Sequence, residues 1–396
     1  IALGNSAGSD TQGSRAVAVG YQAGQTTQGG SAVAIGRQAG NVTQGASAVA
    51  VGYQAGKTDQ ATKAIAVGVY AGYTTQGASA VAVGNLAGQT NQSASAVAIG
   101  IEAGRTTQGV EAVAIGRLAG TTAQGADAVA IGNDAGKTNQ GASAVAVGDT
   151  AGNATQGQFG IAIGASAGET TQGAGAVAVG FTAGYTTQGN NAVAIGPYAG
   201  EADQATNSVA IGVEAGKTTQ GASAIAIGQK AGETNQAASA VSIGDLAGKT
   251  TQGTLSVAIG ASAGETTQGA GAVAVGFTAG YTTQGNNAVA IGPYAGEADQ
   301  GASAIAIGQK AGETSQAANS IVLNATGLVL NNTTASSLII KPIRSAAMTT
   351  ILGYDATSGE VTHNAAIPGY ISVADLKTLV AASTDFADYQ SRIAAL

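Results

Sequence analysis

The sequence predicts an all-β fold, a repetitive parallel β-roll or β-solenoid with 16-residue coils. Three observations predict it. A segment of the form AVAIG begins at Ala16, Ala32, Ala48 and Ala64 and recurs, with close variants, every 16 residues to Ala304. Ala-Gly recurs at a fixed offset in twenty copies, from Ala7-Gly8 to Ala311-Gly312, and a glutamine closes the second half of every copy. The composition suits thin stacked layers: 63 glycines, four phenylalanines, no tryptophan, and apolar residues that are mostly Ala, Val and Ile.

Each unit is numbered so that Gly4 holds position 4. The AVAIG segment is β-branched at alternate positions and too short for a helix, so it reads as a strand. Glycines at positions 4, 8 and usually 13 mark corners that need positive φ or close backbone approach. Between corners, positions 9 to 12 read x-T-T-Q and form a second extended stretch. Positions 9 and 11 vary while 10 and 12 stay nearly fixed as Thr and Gln, so strand alternation turns 9 and 11 outward and 10 and 12 inward.

The position-12 residues are Gln12, Gln28, Gln44, Gln60, Gln76, Gln92, Gln108, Gln124, Gln140, Gln156, Gln172, Gln188, Gln204, Gln220, Gln236, Gln252, Gln268, Gln284, Gln300 and Gln316. Coils stacked at the ~4.8 Å strand spacing put each beside the next, so their amides form a structural ladder along the axis. The functional alternative is an exposed row that binds a ligand. Twenty coils at that spacing span roughly 95 Å.

In AVAIG the residues at positions 1 and 3 face one way and the alanines at 16 and 2 the other, and both faces are apolar. A single coil covers only one of them. The other leaves an apolar stripe along the rod that a partner must bury, and a symmetric homo-oligomer about a common axis is the simplest partner. Sequence alone leaves open which face looks inward.

These units resemble the head repeats of YadA-like trimeric adhesins, whose motif is close to SVAIGxxAxAxG. Ser208-Val209-Ala210-Ile211-Gly212 and Ser256 to Gly260 match its first half. The resemblance covers about residues 1 to 324 and implies a left-handed parallel β-roll with three chains around one axis. It departs in the second half, where AGxTTQG lengthens the unit. The C-terminal region resembles distal segments of tail-fibre proteins of phages and large DNA viruses, through Ser320 to Gly327, Ile339 to Arg344, and Leu352 to Val361.

Three regions follow: a β-roll shaft over 1–319, a C-terminal β region over 320–370, and a helix over 371–396. Turn clusters at Ala325-Thr326-Gly327, Asn331-Asn332 and Asp355 to Gly359 separate short strands, and Pro368-Gly369 ends them. Ser372 and Asp375 form a helix N-cap pair. Leu379, Ala382, Phe386, Tyr389, Ile393 and Leu396 then alternate at spacings of three and four, a candidate coiled-coil seam that would clamp a trimer; a single helix packed on the β-tail is the alternative.

Chemistry is sparse. Charged residues make up 9% with a formal net charge of -7, which lacks the basic footprint of a nucleic-acid binder. There is no cysteine for disulfides or thiolate metal sites, and no apolar run long enough to span a bilayer. The chain begins mid-repeat without an initiating Met, which reads as a fragment or processed product. His363 is the only histidine and assembles no triad. Glu201 with Asp203, and Glu297 with Asp299, read as surface charge before they read as calcium ligands, which would need six or more oxygens. Asn41, Asn153 and Asn324 match the glycosylation pattern, by chance in so Asn- and Thr-rich a chain. Outward aromatics such as Tyr21, Tyr53, Tyr73, Phe181, Tyr185, Tyr198, Phe277 and Tyr281 read as ordinary surface residues, with sugar stacking as the functional alternative. Gly164 to Gln204 recurs unchanged as Gly260 to Gln300, six units later, as suits a spacer grown by duplication.

The expected function is therefore a structural fibre, a viral tail fibre or surface adhesin, extracellular on a virion or cell surface. Its partners would be itself as a homotrimer and a host glycan or protein, with no enzyme activity, cofactor, metal, nucleic acid or membrane insertion. The competitors are an ice-binding solenoid, disfavoured because adjacent threonines point to opposite faces, and a polysaccharide-degrading tail spike, which lacks a convincing carboxylate pair.

Overall fold

The computed structural model describes residues 1–343 and, beyond them, 351–354, 359, 361–364, 378, 380, 381, 387, 388, 390 and 391. The unit from Val33 to Ala48 shows the coil. A three-residue strand, Val33–Ile35, runs into a corner at Gly36–Ala39, a two-residue strand Thr43–Gln44 returns, and a second corner at Gly45–Ala48 closes the circuit. Each corner is a β-turn closed by a main-chain bond, Ala39 N–H to Gly36 C=O at 3.3 Å and Ala48 N–H to Gly45 C=O at 3.2 Å. The coils stack in parallel with a shift of one repeat, so Val33, Ala34 and Ile35 lie beside Val49, Ala50 and Val51. Like residue sits on like residue along the shaft.

The first strands make one continuous parallel sheet of 22 strands. The second strands make sheets of eight, three and five, joined across the gaps by isolated pairings such as Gln124 with Gln140 and Gln188 with Gln204. Position 11 adopts positive φ at the gaps, in Asn139, Asp203 and Asp299, and also in Asp59, Thr75 and Asn91, whose strands run three residues, so the angle alone does not interrupt the ladder. Asn and Asp tolerate that conformation because their short polar side chains bond locally.

The coil interior holds alanine at positions 2 and 7, both fully excluded from solvent in nearly every coil, with alanine or a small substitute at position 16 and glutamine at position 12. Side chains this small let the two sheets close on each other. The AVAIG strand therefore turns its alanines into its own coil and its Val and Ile outward, which settles the face that alternation alone leaves open. Where serine replaces the position-16 alanine, the hydroxyl donates to the carbonyl three residues back, as in Ser208 to Ala205 at 2.6 Å and Ser256 to Gly253 at 2.6 Å.

The corners place a demand that the glycine pattern does not announce. Position 6 has positive φ in all twenty coils, although Gln, Tyr, Leu, Glu, Thr and Lys occupy it, and so does position 15, which is glycine only at Gly175 and Gly271. Each non-glycine residue held there costs on the order of 1 kcal/mol. The turn bonds and the ladders above and below offset that cost. Position 13, by contrast, has no positive φ, and its glycines answer to close approach by the next coil's backbone.

The stack runs one coil past the limit of the 16-residue period. Ile321–Asn324 pairs with Leu338–Lys341 at an offset of 17, and this coil carries Val322 and Leu330 where the others carry alanine. Asn324 takes the place of the position-4 glycine, and its buried amide bonds the carbonyls of Gln309 and Leu328. Among the described residues this is the last coil of the stack, and it differs from the others in its larger apolar residues and in amides that bond its own main chain. The second unit, Pro342–Leu396, contains an antiparallel pair of strands, Ile351–Tyr354 with Val361–Asn364. His363 lies opposite Leu352 in that pair. The described positions between 378 and 391 are helical, whereas the N-cap pair Ser372 and Asp375 and the seam residues Leu379, Ala382, Phe386, Tyr389, Ile393 and Leu396 lie outside the described residues.

Candidate functional site: an amide ladder inside and an apolar face outside

The interior row is continuous from Gln12 to Gln316. Gln76 is typical: its Nε2 donates to Oε1 of Gln92 at 3.1 Å and to the carbonyl of Ile65 at 2.8 Å, while its own Oε1 accepts from Gln60. Every amide thus points the same way along the axis, and each from Gln28 onward uses both donor hydrogens and its acceptor. An unpaired buried amide would cost several kcal/mol, so the row is viable only as a complete one. The side chain needs room, and position 8 supplies it. A Cβ added to Gly72 would stand 2.7 Å from Oε1 of Gln76 and 3.2 Å from Cβ of Ala66. Ser242, the one polar substitution at position 2, is absorbed by the same row through a bond to Oε1 of Gln252 at 2.6 Å. Buried to this degree, the glutamines offer a ligand nothing from outside.

The expectation for position 10 is overturned. Gln at position 12 is buried, but position 10 is exposed or half-buried in every coil. The second strand typically spans only positions 11 and 12, so alternation does not reach position 10. Threonine recurs there because its hydroxyl can bond the neighbouring coil's main chain, as Thr106 does to the carbonyl of Thr121 at 2.8 Å. Threonines at 10 and 11 therefore share the outer surface and do not point to opposite faces.

Outside, Val and Ile at positions 1 and 3 form two columns on the broad sheet. The position-3 isoleucines are exposed, 41% for Ile35 and Ile163 and 40% for Ile307. Two residues wide and about twenty strands long at ~4.8 Å, the stripe covers roughly 650 Å², more than soluble monomers usually expose in one patch.

Around the corners the surface is polar and paired along the axis. Lys217 reaches Glu201 in the coil before it at 3.7 Å and Glu214 at 3.5 Å, and Lys230 reaches Glu214 at 3.3 Å. Burial alone would push the Glu214 carboxyl up, but hydrogen bonds and charge from Lys230 and Lys217 outweigh it and hold the group below its usual range. Burial, reinforced by the neighbouring Glu313, pushes Glu297 above the usual range. The aromatics are partly clustered: Arg37 lies between the rings of Tyr21 and Tyr53, and Phe181 with Tyr198 and Phe277 with Tyr294 form edge-to-face pairs at 5.4 Å. Among the described residues no cluster of His, Cys, Asp or Glu could hold a metal ion, and no helix is long and apolar enough to cross a membrane. Two of the three glycosylation-pattern asparagines are buried with engaged amides, Asn41 on Gln22 and Gln25 and Asn324 as above.

Fold and surface define a class, the parallel β-solenoid repeat proteins with an alanine and glutamine interior. Comparison with protein-family models, with curated proteins and with solved structures returned no match.

Proposed function

We propose that the chain is the shaft of a homotrimeric structural fibre, a viral tail fibre or surface adhesin that holds a binding tip away from a virion or cell. One observation carries the reading: the outward Val and Ile columns run unbroken along the shaft, and no other residue of the shaft covers them. Coils of identical register favour a partner of identical period, which is another copy of the same chain. The likeness of the strand half to YadA-like heads, and of the C-terminal region to tail-fibre segments, supports three chains and an extracellular setting. Host glycans or proteins are the partners such a rod would meet. Sedimentation equilibrium at falling concentration tests it, with electron microscopy of rod length beside it. The strand spacing gives an expected rod of about 100 Å, and the adhesin likeness an expected three chains; a monomer that stays folded and soluble at high dilution overturns the reading.

A second reading, an ice-binding face, is favoured by the shared outer surface of the position-10 and position-11 threonines. Asp59, Asp203 and Asp299 interrupt that array with exposed charge. Thermal hysteresis of the purified rod tests it, and its absence removes it.

A further inference from the structure

We infer that the two rims of the apolar stripe dock on each other between copies of this chain, position 15 of one copy against position 5 of the next, at the same level of the stack. The inference rests on the homo-oligomer reading and adds its register.

Positions 15 and 5 flank each first strand on opposite corners. The six residue steps between them, at roughly 3.3 Å each, hold the corners up to about 20 Å apart, too far for these side chains to touch within one chain. Their contents are nonetheless complementary. Phe159 shares a strand with Ala165, and Leu255 with Ala261. The only two glycines at position 15, Gly175 and Gly271, share strands with Phe181 and Phe277, which are about half exposed. Glu111 shares a strand with Arg117, and Ser47 and Ser95 share strands with Tyr53 and Ile101. Large meets small, and acid meets base.

A cyclic assembly about an axis parallel to the stack explains this pattern. It sets equal residues at equal heights and turns the position-15 rim of each copy toward the position-5 rim of its neighbour. A slip of one coil forward would oppose Phe159 to Phe181 and Leu255 to Phe277; a slip backward would oppose Phe159 to Asp149 and Leu255 to Asp245. An antiparallel pair would match no strand with itself. The rims thus fix both direction and register, a task the uniform Val and Ile columns cannot perform because every coil looks alike to them.

The absence of cysteine makes a direct test simple. Three double variants are oxidised and run on a non-reducing gel: Ser95→Cys with Ile101→Cys, and two displaced by one coil, Ser95→Cys with Asn85→Cys and Ser95→Cys with Arg117→Cys. The same-strand pair is expected to give covalent dimers and closed multimers, and the displaced pairs mostly single chains. Cross-linking in a displaced pair alone overturns the register; an unchanged assembly mass with no cross-link in any pair overturns the rim contact while leaving the oligomer standing. A single-chain mass before oxidation overturns both. A second measurement transplants an existing combination. Ala165→Phe alone is expected to weaken assembly about tenfold or more by clashing with the neighbour's Phe159, and Phe159→Gly added to it to restore most of the loss. No restoration, with the coil still folded by circular dichroism, counts against contact between the rims.

Discussion

Nε2 of Gln92 donates to Oε1 of Gln108 at 3.1 Å and to the main-chain carbonyl of Val81 in its own coil at 2.8 Å, while its Oε1 accepts from Gln76, so one side chain ties three coils. Glutamine alone meets both demands there. Asparagine is one methylene shorter, and glutamate cannot donate. Gln108→Ala should strand the amide of Gln92 and the carbonyl of Gln124 in the interior, lowering stability by about 2–5 kcal/mol. Gln108→Glu should cost more, because it buries a charge with no cation beside it. Denaturant titration of the two variants checks the order; equal stability to the parent would show that water enters the row.

Gly100 and Gly77 separate two reasons for glycine. At Gly100 φ is +132°, and a Cβ would come 2.5 Å from the carbonyl oxygen of Gly116. Gly77, at position 13, has no positive φ, and the equivalent position already carries Ala61, Ala205, Ala237 and Ala317. A Cβ at Gly77 would also clash with the main-chain N of Ala94, but the coils with alanine there show that a small backbone shift relieves it. Gly100→Ala is therefore expected to lose several kcal/mol through φ strain plus contact, and Gly77→Ala less, about 1–2 kcal/mol. Thermal melts that rank the two the other way would refute the assignment.

The strand and the buried glutamines were legible because each leaves a mark in composition, β-branching at alternate positions and near-invariance at position 12. The αL residues at positions 6 and 15 left none. Gln38, Tyr70, Leu118 and Lys230 share a backbone conformation and nothing else, since the turn bonds impose the angle whatever the side chain. Position 10 misled for a related reason: Thr106 recurs for its bond to Thr121 in the next coil, which imitates the constancy of a buried residue. Which face of AVAIG turns inward was undecidable from polarity, because both faces are apolar. Size decides it, since along the 16-residue repeats only alanine, and once the small Ser242, fits at position 2 between sheets this close.

Leu86 illustrates a correctable strain. Its φ is +59°, and it stands at a turn position that asparagine tolerates better. Leu86→Asn should raise stability by a few tenths to about 1 kcal/mol. A denaturation midpoint that falls would mean that the leucine side chain contributes more by packing than its backbone costs.

Val97 and Ile99 face outward on the apolar stripe, while Ala98 between them faces in. Replacing Val97 and Ile99 together by lysine should leave the coil's internal bonds intact and disrupt assembly, since charge on that face cannot be buried against another copy. Circular dichroism is expected to keep its β signature while light scattering reports a lower mass. Unfolding in step with dissociation would instead show that the single stack depends on its neighbours.

Glu201 and Glu297 occupy equivalent places in the duplicated segment but meet different neighbours. The next coil offers Lys217 to Glu201 and Glu313 to Glu297. Burial and the Glu313 charge raise the Glu297 carboxyl above its unfolded value, so the folded chain holds this proton more tightly than the unfolded chain. The sign follows from linkage: its contribution favours folding fully below the unfolded pKa and is lost as pH rises through the folded one. Glu297→Gln should therefore flatten the decline in stability from acid toward neutral pH, and Glu313→Lys should remove the like charge and do the same. Glu201→Gln is expected to cost a small amount at neutral pH, because it deletes a partner of Lys217. Melting curves of the three variants between about pH 3.5 and 7, a span covering the ordinary carboxylate range, would expose the difference, and identical profiles for Glu201→Gln and Glu297→Gln would mean that the coil-to-coil neighbour does not set the environment of position 9.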